Sequence, residues 1–504
     1  MARTALNPST TTKRPYVSKS KYLHGRQCAK LLWSAYHAKH LFPAMDAAQQ
    51  AIFDQGHEVG ELAQQMYPDG IQIETTPSDF DGAIRLTKEN LCARRPLFEA
   101  ALTADGGYAR ADILNPVAVD AWDLIEVKST TSVKEDVHLP DLAFQAHVLA
   151  EAGVKLRKCF LAHINNQFVR HGPIDPKQFF TLEDVTKPVA VLRREVAGQL
   201  AAMHAVIAAK VQPEIPIGSQ CDHPYPCPLH DRCWAFLPDA SVFTLYRGGS
   251  KAFTLLQQGI QQLEQIPDDF ALTDNQAIQR HAAITGEPHV DRPALAAFLS
   301  QLEYPVSFLD FETFSTAIPL HDGIRPYQQI PFQYSLHVIQ SAGAKPEHHE
   351  FLAAGSDDPR PEFMRRLRAD LPQSGSVVVY NASFEKARLA EGCELLPKYG
   401  AWYRKVEARM VDLLLPFRGF RYYHGDQQGS ASMKAVLPVL TGRGYDELEI
   451  QEGGTASMEF LRVTYGDVPR AERQRVRRQL ETYCGQDTEG MIWIVEALEK
   501  LCRG

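Results

Sequence analysis

Apolar positions recur at helical spacing through "RQCAKLLWSAYHAKH" and "AQQAIFDQGHEVGELAQQMY", and the period then shortens. Three short runs, "LFEAALT", "GYARADILNP" and "WDLIEVKST", read as strands. "DLAFQAHVLAEAG" returns to a helical pattern and ends on Gly153, suited to the left-handed turn that closes helices. A further strand, "KCFLAHIN", and a long amphipathic helix, "VLRREVAGQLAAMHAVIAAK", complete an α/β unit expected over residues 16–240. Residues 241–302 read as a helical connector, with packing helices in "SKAFTLLQQGIQQLEQI" and "RPALAAFLSQLEYP", and carry no obvious chemistry. A second α/β unit, 303–504, opens at "YPVSFLDFETF". Its strands include "VSFLDFET", "QYSLHVIQ" and "SVVVYN", and its last helix is "YCGQDTEGMIWIVEALEKL".

Composition narrows the class. The chain has 504 residues, enough for two to four domains, and its apolar and charged fractions are those of a globular protein. A net charge of −8 argues against a protein that coats nucleic acid, while leaving room for a local basic groove. No apolar run reaches the ~20 residues of a membrane span, so no membrane partner is expected. Residues 1–15 read as a disordered basic tail without the apolar core of a secretory signal. Nine cysteines, unevenly spread, favour reduced thiols and a metal site over a disulfide framework, in keeping with a cytoplasmic location.

The first candidate chemistry lies in "ARADILNP" and "WDLIEVKST". Glu126 and Lys128 are two apart on one strand and share a face, where Asp112 of the neighbouring strand can join them. Two carboxylates can hold a divalent ion, Mg²⁺ or Mn²⁺, that binds a phosphate oxygen and acidifies a bound water. A lysine beside them can orient that water or offset transition-state charge. Gln145 follows on the next helix. An edge strand with Glu and Lys on its solvent face accounts for "EVK" alone equally well. Together these residues resemble the PD-(D/E)XK nuclease superfamily, with "AD" in place of "PD". The resemblance implies a metal-binding His or Glu on an earlier helix, where "GHEVGELA" offers His57, Glu58 and Glu61. It also implies Gln-x-x-x-Tyr after the third motif, but here Leu149 stands four residues beyond Gln145.

Three cysteines, Cys221, Cys227 and Cys233, recur at C-x5-C-x5-C, one short of a four-thiolate site. Cys28 of "YLHGRQCAKLLW" precedes the nuclease motifs; Cys92, Cys159, Cys393, Cys484 and Cys502 read as structural thiols. One N-terminal cysteine with three clustered after the nuclease core resembles the iron–sulfur RecB-like nucleases. That resemblance implies a 4Fe-4S cluster on Cys28, Cys221, Cys227 and Cys233, with a chiefly structural role in closing a long loop. A four-cysteine zinc site, or a mixed one using His223 or His230, is the alternative.

The second candidate centre begins with Asp310 and Glu312, which point to one face at the end of "VSFLDFETF". "SVVVYNASFEKARL" follows, and "YCGQD" places Tyr483 and Asp487 on one face of the last helix. This ordered set resembles the DEDD 3′–5′ exonucleases of the RNase H-like fold, in the tyrosine-bearing subclass. The resemblance implies two divalent ions on Asp310, Glu312, Glu385 and Asp487, a water oriented by Tyr483, and a second motif supported by Asn381 and Phe384. Glu385 stands where that pattern usually has Asp, and Asp412 of "MVDLLLPFR" competes for the place. Arg470, Arg473, Arg475, Arg477 and Arg478, and the run "FRGFRYYHGDQQGS", suit a phosphate backbone and unpaired bases, or equally a solvated helix face and a surface loop.

As a whole the chain resembles an uncharacterised bacterial family that fuses a RecB-like iron–sulfur nuclease to a DEDD-like domain. The expected fold class is α/β throughout: a restriction-endonuclease-like domain with its cysteine cluster, the connector, then an RNase H-like domain. The expected activity is metal-dependent phosphodiester hydrolysis, DNA favoured over RNA, in repair, recombination or defence. No G-x-x-x-x-G-K-[ST] phosphate loop is present, so unwinding falls to a helicase or other repair or defence partner. A single working nuclease with a nucleic-acid-binding second domain, and a non-catalytic scaffold, are the alternatives.

Overall fold

The structure, a computed structural model, describes residues 15–503. Most of the basic tail therefore lies outside the described residues. The chain divides into two units, Met1–Trp234 and Ala235–Gly504, so residues 241–302 belong to the second. Both are mixed α/β, as the hydrophobic pattern predicts.

In the first unit six strands follow one another across a mixed sheet: Ile71–Gln72, Leu97–Ala104, Gly107–Pro116, Ala121–Lys128, Lys155–Ile164 and Phe180–Asp184. Val17–Ser18 adds in parallel beside Gly107–Pro116. Asp105 and Gly106, at φ 51° and 75°, turn the hairpin between the second and third strands, the conformation that matches strand twist. The helix Glu135–Glu151 then carries the chain to a parallel partner of Ala121–Lys128. Every residue from Val137 to Leu149 is buried, as expected of a helix covered all round. Such a helix gives its few polar residues, Asp141 and Gln145 among them, no water to face. It ends as the sequence predicts, on Gly153 at φ 95°.

Two short helices, Lys19–Gln27 and Ala29–His37, pack against the long helix Thr186–Ala208. Side chains fasten the ends of this arrangement. Trp33 Nε1 donates to the Ala209 carbonyl at 2.9 Å, and Gln212 Nε2 donates to Ser34 Oγ at 2.9 Å.

The second unit is built on a sheet ordered Glu347–Leu352, Ile330–Ile339, Val306–Phe314, Val377–Val379, Met410–Asp412. The first two pairings are antiparallel and the last two parallel, with Val306–Phe314 in the middle. In register, Asp310 stands opposite Ser335 and Glu312 opposite Gln333, so all four share one face. Across that face lies one helix of 34 residues, Arg470–Arg503, which takes in both the arginine-rich run and "YCGQDT". Buried polar bonds lock it in place: Gln333 Nε2 donates to the Leu480 carbonyl at 2.9 Å, and Ser335 and Thr488 share a hydroxyl contact at 2.6 Å. The expected connector helix over "SKAFTLLQQGIQQLEQI" is shorter than its apolar spacing suggests. It stops at Gln257 because Gly259, at φ 79°, turns the chain, leaving a single 3₁₀ turn at Leu263–Gln265.

Gly375, before the strand Val377–Val379, has φ 79°, and a Cβ there would stand 2.0 Å from the Pro305 carbonyl oxygen. Gly375→Ala must therefore move backbone as well as strain it. It should destabilise the second unit by about 2 kcal/mol or more, measured as a lowered urea midpoint with an unchanged slope.

Candidate active sites

Asp112 and Glu126 reach their places through the strand register. Asp112 lies mid-strand and accepts the Val127 N–H on Oδ2 at 2.7 Å, which ties it to the strand bearing Glu126 and Lys128. Glu126 is wholly buried. Its Oε1 accepts from Lys128 Nζ at 2.6 Å and from Lys19 Nζ at 2.7 Å, and its Oε2 accepts from Gln145 Nε2 at 2.7 Å. Lys128 also donates to Asp141 Oδ2 at 2.8 Å, and Gln145 to Asp141 Oδ1 at 3.0 Å. The four predicted residues thus converge, joined by Lys19 and Asp141.

The electrostatics separate the two predicted carboxylates. Burial works against the charge on Glu126, yet Lys128 and Lys19 hold it well below the usual carboxylate range. Burial and the neighbouring Glu126 push Asp112 up to about 7. Burial also raises Glu99, which pairs with Arg110 at 2.7 Å and lies within electrostatic reach of Lys19, Glu126 and His57. Of the first-motif candidates, His57 is the one within electrostatic reach of Glu99; His57, Glu58 and Glu61 are all exposed. Leu149, in the place of the missing tyrosine, is a core residue.

Cys28, Cys221, Cys227 and Cys233 line one small cavity, together with Leu31 and Leu229. All four are free thiols. Burial raises Cys227, and the other three sulfurs add to the effect. Gln27, the residue before Cys28, donates its amide to the carbonyls of Gln220 and Tyr225, both at 2.8 Å. Four soft donors around one apolar-walled cavity are the donor type of a thiolate-bound metal or cluster, although among the described residues no three of these sulfurs stand within 4.8 Å of one another. His230 stacks on Trp234 at 4.6 Å, and His223 lies 3.3 Å from Asp136; neither lines the cavity.

In the second unit Asp310, Glu312 and Asp487 bring carboxylate oxygens within 4.8 Å of one another. The strand Val306–Phe314 supplies the first two and the long C-terminal helix the third. Burial raises all three, and repulsion from neighbouring carboxylates adds to it at Asp310 and Glu312: Glu312 to about 8, Asp487 to about 7, and Asp310 well above its ordinary range. Hard oxygen donors clustered in this way fit Mg²⁺ or Mn²⁺, whose charge would stabilise the ionised forms. Tyr483, one turn before Asp487, is buried beside them.

Residues 307–432 match DUF2779, a domain of unknown function. The DUF2779 match takes in Asp310, Glu312, Glu385 and Asp412 and ends before Tyr483 and Asp487. Two curated relatives are similar over a part of the chain. The uncharacterized protein MG366 homolog of Mycoplasma pneumoniae is 26% identical over 208 residues, which are 37% of this chain and 31% of that protein. Uncharacterized protein MG366 of Mycoplasma genitalium is 27% identical over 216 residues, 39% of this chain and 32% of that protein. The chain thus matches about a third of the length of these relatives.

Within the DUF2779 segment the structure separates Glu385 from Asp412. Asp412 Oδ1 accepts the backbone N–H groups of Asn381 and Leu414, both at 3.0 Å, and so caps the turn that opens the helix Ala382–Leu395. Glu385, on the first turn of that helix, is buried, and its Oε2 has no hydrogen-bond partner. Burial, with Asp412 nearby, pushes it up to about 8. It is close enough to Asp310 to raise that residue, though it stands outside the converging three. Asn381 adopts the left-handed conformation at φ 82°, and Phe384 packs under Arg388.

Several residues of both centres escaped the sequence reading. Lys19 lies at the edge of an aperiodic tail and carries no signal. Asp141 does carry one: it sits four residues before Gln145, on the same face of an otherwise apolar helix. Tyr445 and Lys434 complete the second centre. The Tyr445 hydroxyl donates to Asp487 Oδ1 at 2.6 Å. Lys434 Nζ lies 5.8 Å from the Tyr445 ring centre and 5.7 Å from that of Tyr483. Lys434 is the sole charge in "MKAVLPVLT", a signal that periodicity alone does not read. Because Tyr445 orients a candidate ligand, Tyr445→Phe should weaken Mn²⁺ binding at this centre by about 10–100-fold, measured by titration calorimetry with the fold checked by circular dichroism.

Proposed function

We propose that the protein is a metal-dependent nuclease with two active centres, acting on DNA in preference to RNA. The observation that carries this reading is the convergence of Asp310, Glu312 and Asp487 on one buried point beside Tyr483. In the second centre Asp310, Glu312 and Asp487, with Glu385 close by, would hold divalent cations; in the first, Asp112 and Glu126 would. Bound there, such cations supply Lewis acidity and an activated water for attack on a phosphodiester.

The chain's own groups set the geometry. Tyr483 is placed to orient the attacking water through its hydroxyl. Tyr445 fixes the rotamer of Asp487, and Lys434 offsets charge on the cluster from the outer side. In the first centre Lys128 is the residue positioned to meet the developing phosphate charge. Lys19 and Gln145 hold Glu126, and Asp141 holds Lys128. This order of roles follows the PD-(D/E)XK and DEDD resemblances, and the buried acidic clusters support both. The four cavity-lining thiols support an iron–sulfur cluster that closes the first unit between Cys28 and Cys233. Unwinding, repair or defence partners would bring frayed or tailed substrate to the two centres.

A second reading is favoured by Glu385, which lies outside the converging three. In that reading the first centre cuts, and the DEDD-like domain chiefly binds nucleic acid.

Cleavage of single-stranded, duplex and 3′-tailed oligonucleotides with Mg²⁺ or Mn²⁺ tests the proposal. Lys128→Ala and Asp310→Ala should each remove one activity, by roughly 100-fold or more, and the double variant should remove both. Loss of all cleavage in Lys128→Ala alone would leave the second reading; an inactive wild-type protein with its cluster intact would refute both.

The thiol frame has its own test. After anaerobic purification Cys28→Ser should lose iron and sulfide and melt at lower temperature, whereas Cys92→Ser should change neither. One zinc per colourless wild-type chain is the result that would remove the iron–sulfur assignment.

A further inference from the structure

A cavity of about 430 Å³ opens within the second unit, bordered by Tyr246, Arg247, Tyr380, Asn381, Arg418 and Ser432. Its volume is that of a small-ligand site, roughly 300–1,000 Å³. Four segments of the chain meet there, at 246–247, 380–381, 414–418 and 431–433. Asn381 immediately precedes the helix that bears Glu385, and Ser432 precedes the helix that bears Lys434. Two of its walls thus lead directly into the helices that carry Glu385 and Lys434. A further wall comes from Tyr246 and Arg247 of the segment 241–302, outside the DUF2779 match.

That wall is built with unusual care. The Tyr246 N–H donates to Gln279 Oε1 at 2.6 Å, and its carbonyl accepts from Gln276 Nε2 at 2.8 Å. Both glutamines are buried, at 1% and 3% exposure. Lys251 Nζ donates to Gln276 Oε1 at 2.9 Å and so sets which way that amide points. The Tyr246 ring is braced edge-on by Phe420 at 4.9 Å. Arg247 follows in the left-handed region at φ 49°, a conformation that costs a non-glycine residue energy and persists where its surroundings impose it. The Tyr380 hydroxyl donates to the Ala431 carbonyl at 2.7 Å and ties the opposite walls together. Arg247 and Arg418 are both exposed. Among the described residues neither guanidinium is held in an ion pair.

The Arg247 guanidinium lies 5.3 Å from the centre of the Tyr246 ring. A pinned aromatic ring with two guanidinium groups outside any ion pair is the chemistry that holds a flexible polyanion with stacking faces. We propose that this crevice seats single-stranded nucleic acid and leads it to the Asp310–Glu312–Asp487 cluster. Arg247 and Arg418 take backbone phosphates, the Tyr246 ring takes the face of a base, and the Asn381 side chain borders the nucleotide nearest the cluster. The inference rests on the nuclease reading of that cluster and gives the segment 241–302 a substrate-binding role.

The test is binding of fluorescein-labelled oligo-dT and oligo-U to the full chain in Ca²⁺, read by anisotropy across a salt series. Arg247→Gly removes the guanidinium while relieving the backbone strain, so its melting temperature should hold or rise. It should weaken binding several-fold and reduce the salt slope by about 0.7. Tyr246→Leu should raise Kd by about 5- to 100-fold. Photo-crosslinking with a 4-thiothymidine oligonucleotide, followed by mass spectrometry, should label the peptide that contains Tyr246. Both variants binding with wild-type affinity and salt slope, or crosslinks absent from this peptide, would overturn the crevice even if the wild type still cleaves and Asp310→Ala does not. If the variants bind weakly but Asp310→Ala cleaves as the wild type does, the crevice stands and the nuclease reading of the cluster falls. A strong preference for oligo-U would keep the crevice and make RNA its occupant.

Discussion

Taking a carboxylate out of water is costly unless positive charge or hydrogen bonds replace the solvent. Both units incur this cost on a sheet strand, and each meets it differently. In the first, two ammonium groups and an amide crowd around Glu126, and its charge is secured. In the second, Asp310, Glu312 and Asp487 face one another with a tyrosine hydroxyl and a lysine at the margin, and all are driven toward protonation. The first arrangement is close to neutral; the second gathers three raised carboxylates whose ionised forms a multivalent cation would stabilise.

The second arrangement depends on neutral polar side chains. A helix of 34 residues could slide against an apolar sheet with little penalty, since apolar packing is not directional. Gln333 and the Ser335–Thr488 pair remove that freedom because each would lose a buried hydrogen bond. They stand opposite the acidic residues in the strand register, so the bonds that fix the helix also fix where Asp487 meets Asp310.

Much of this architecture is legible in the sequence for a simple reason. Period-two and helical patterns report burial, and the principal acids lie on the elements where burial is strongest. "VSFLDFETF" becomes the central strand and "YCGQD" one turn of the helix above it. The four cysteines, separated by almost the whole first unit, line one cavity. What the pattern cannot express is a partner drawn from irregular chain. Lys19 precedes any periodic segment, Tyr445 lies in a loop, and Tyr246 owes its position to two glutamines some thirty residues later. The glycine turn after Gln257 shows the converse, an apolar run with helical spacing that backbone conformation interrupts. The choice between Glu385 and Asp412 likewise rests on backbone hydrogen bonds to Asp412, which spacing does not reveal.

The helix Lys19–Gln27 has an unusual position. At one end its lysine neutralises Glu126; at the other, Gln27 grips the cysteine loop and Cys28 enters the thiol cavity. A nine-residue rod thus joins the acidic cluster to the cysteine frame. Loosening of the frame by oxidation would be transmitted along that rod and withdraw a counter-charge from the acidic cluster. The redox condition of sulfur and the charge balance around Glu126 would then be linked through a single mechanical part.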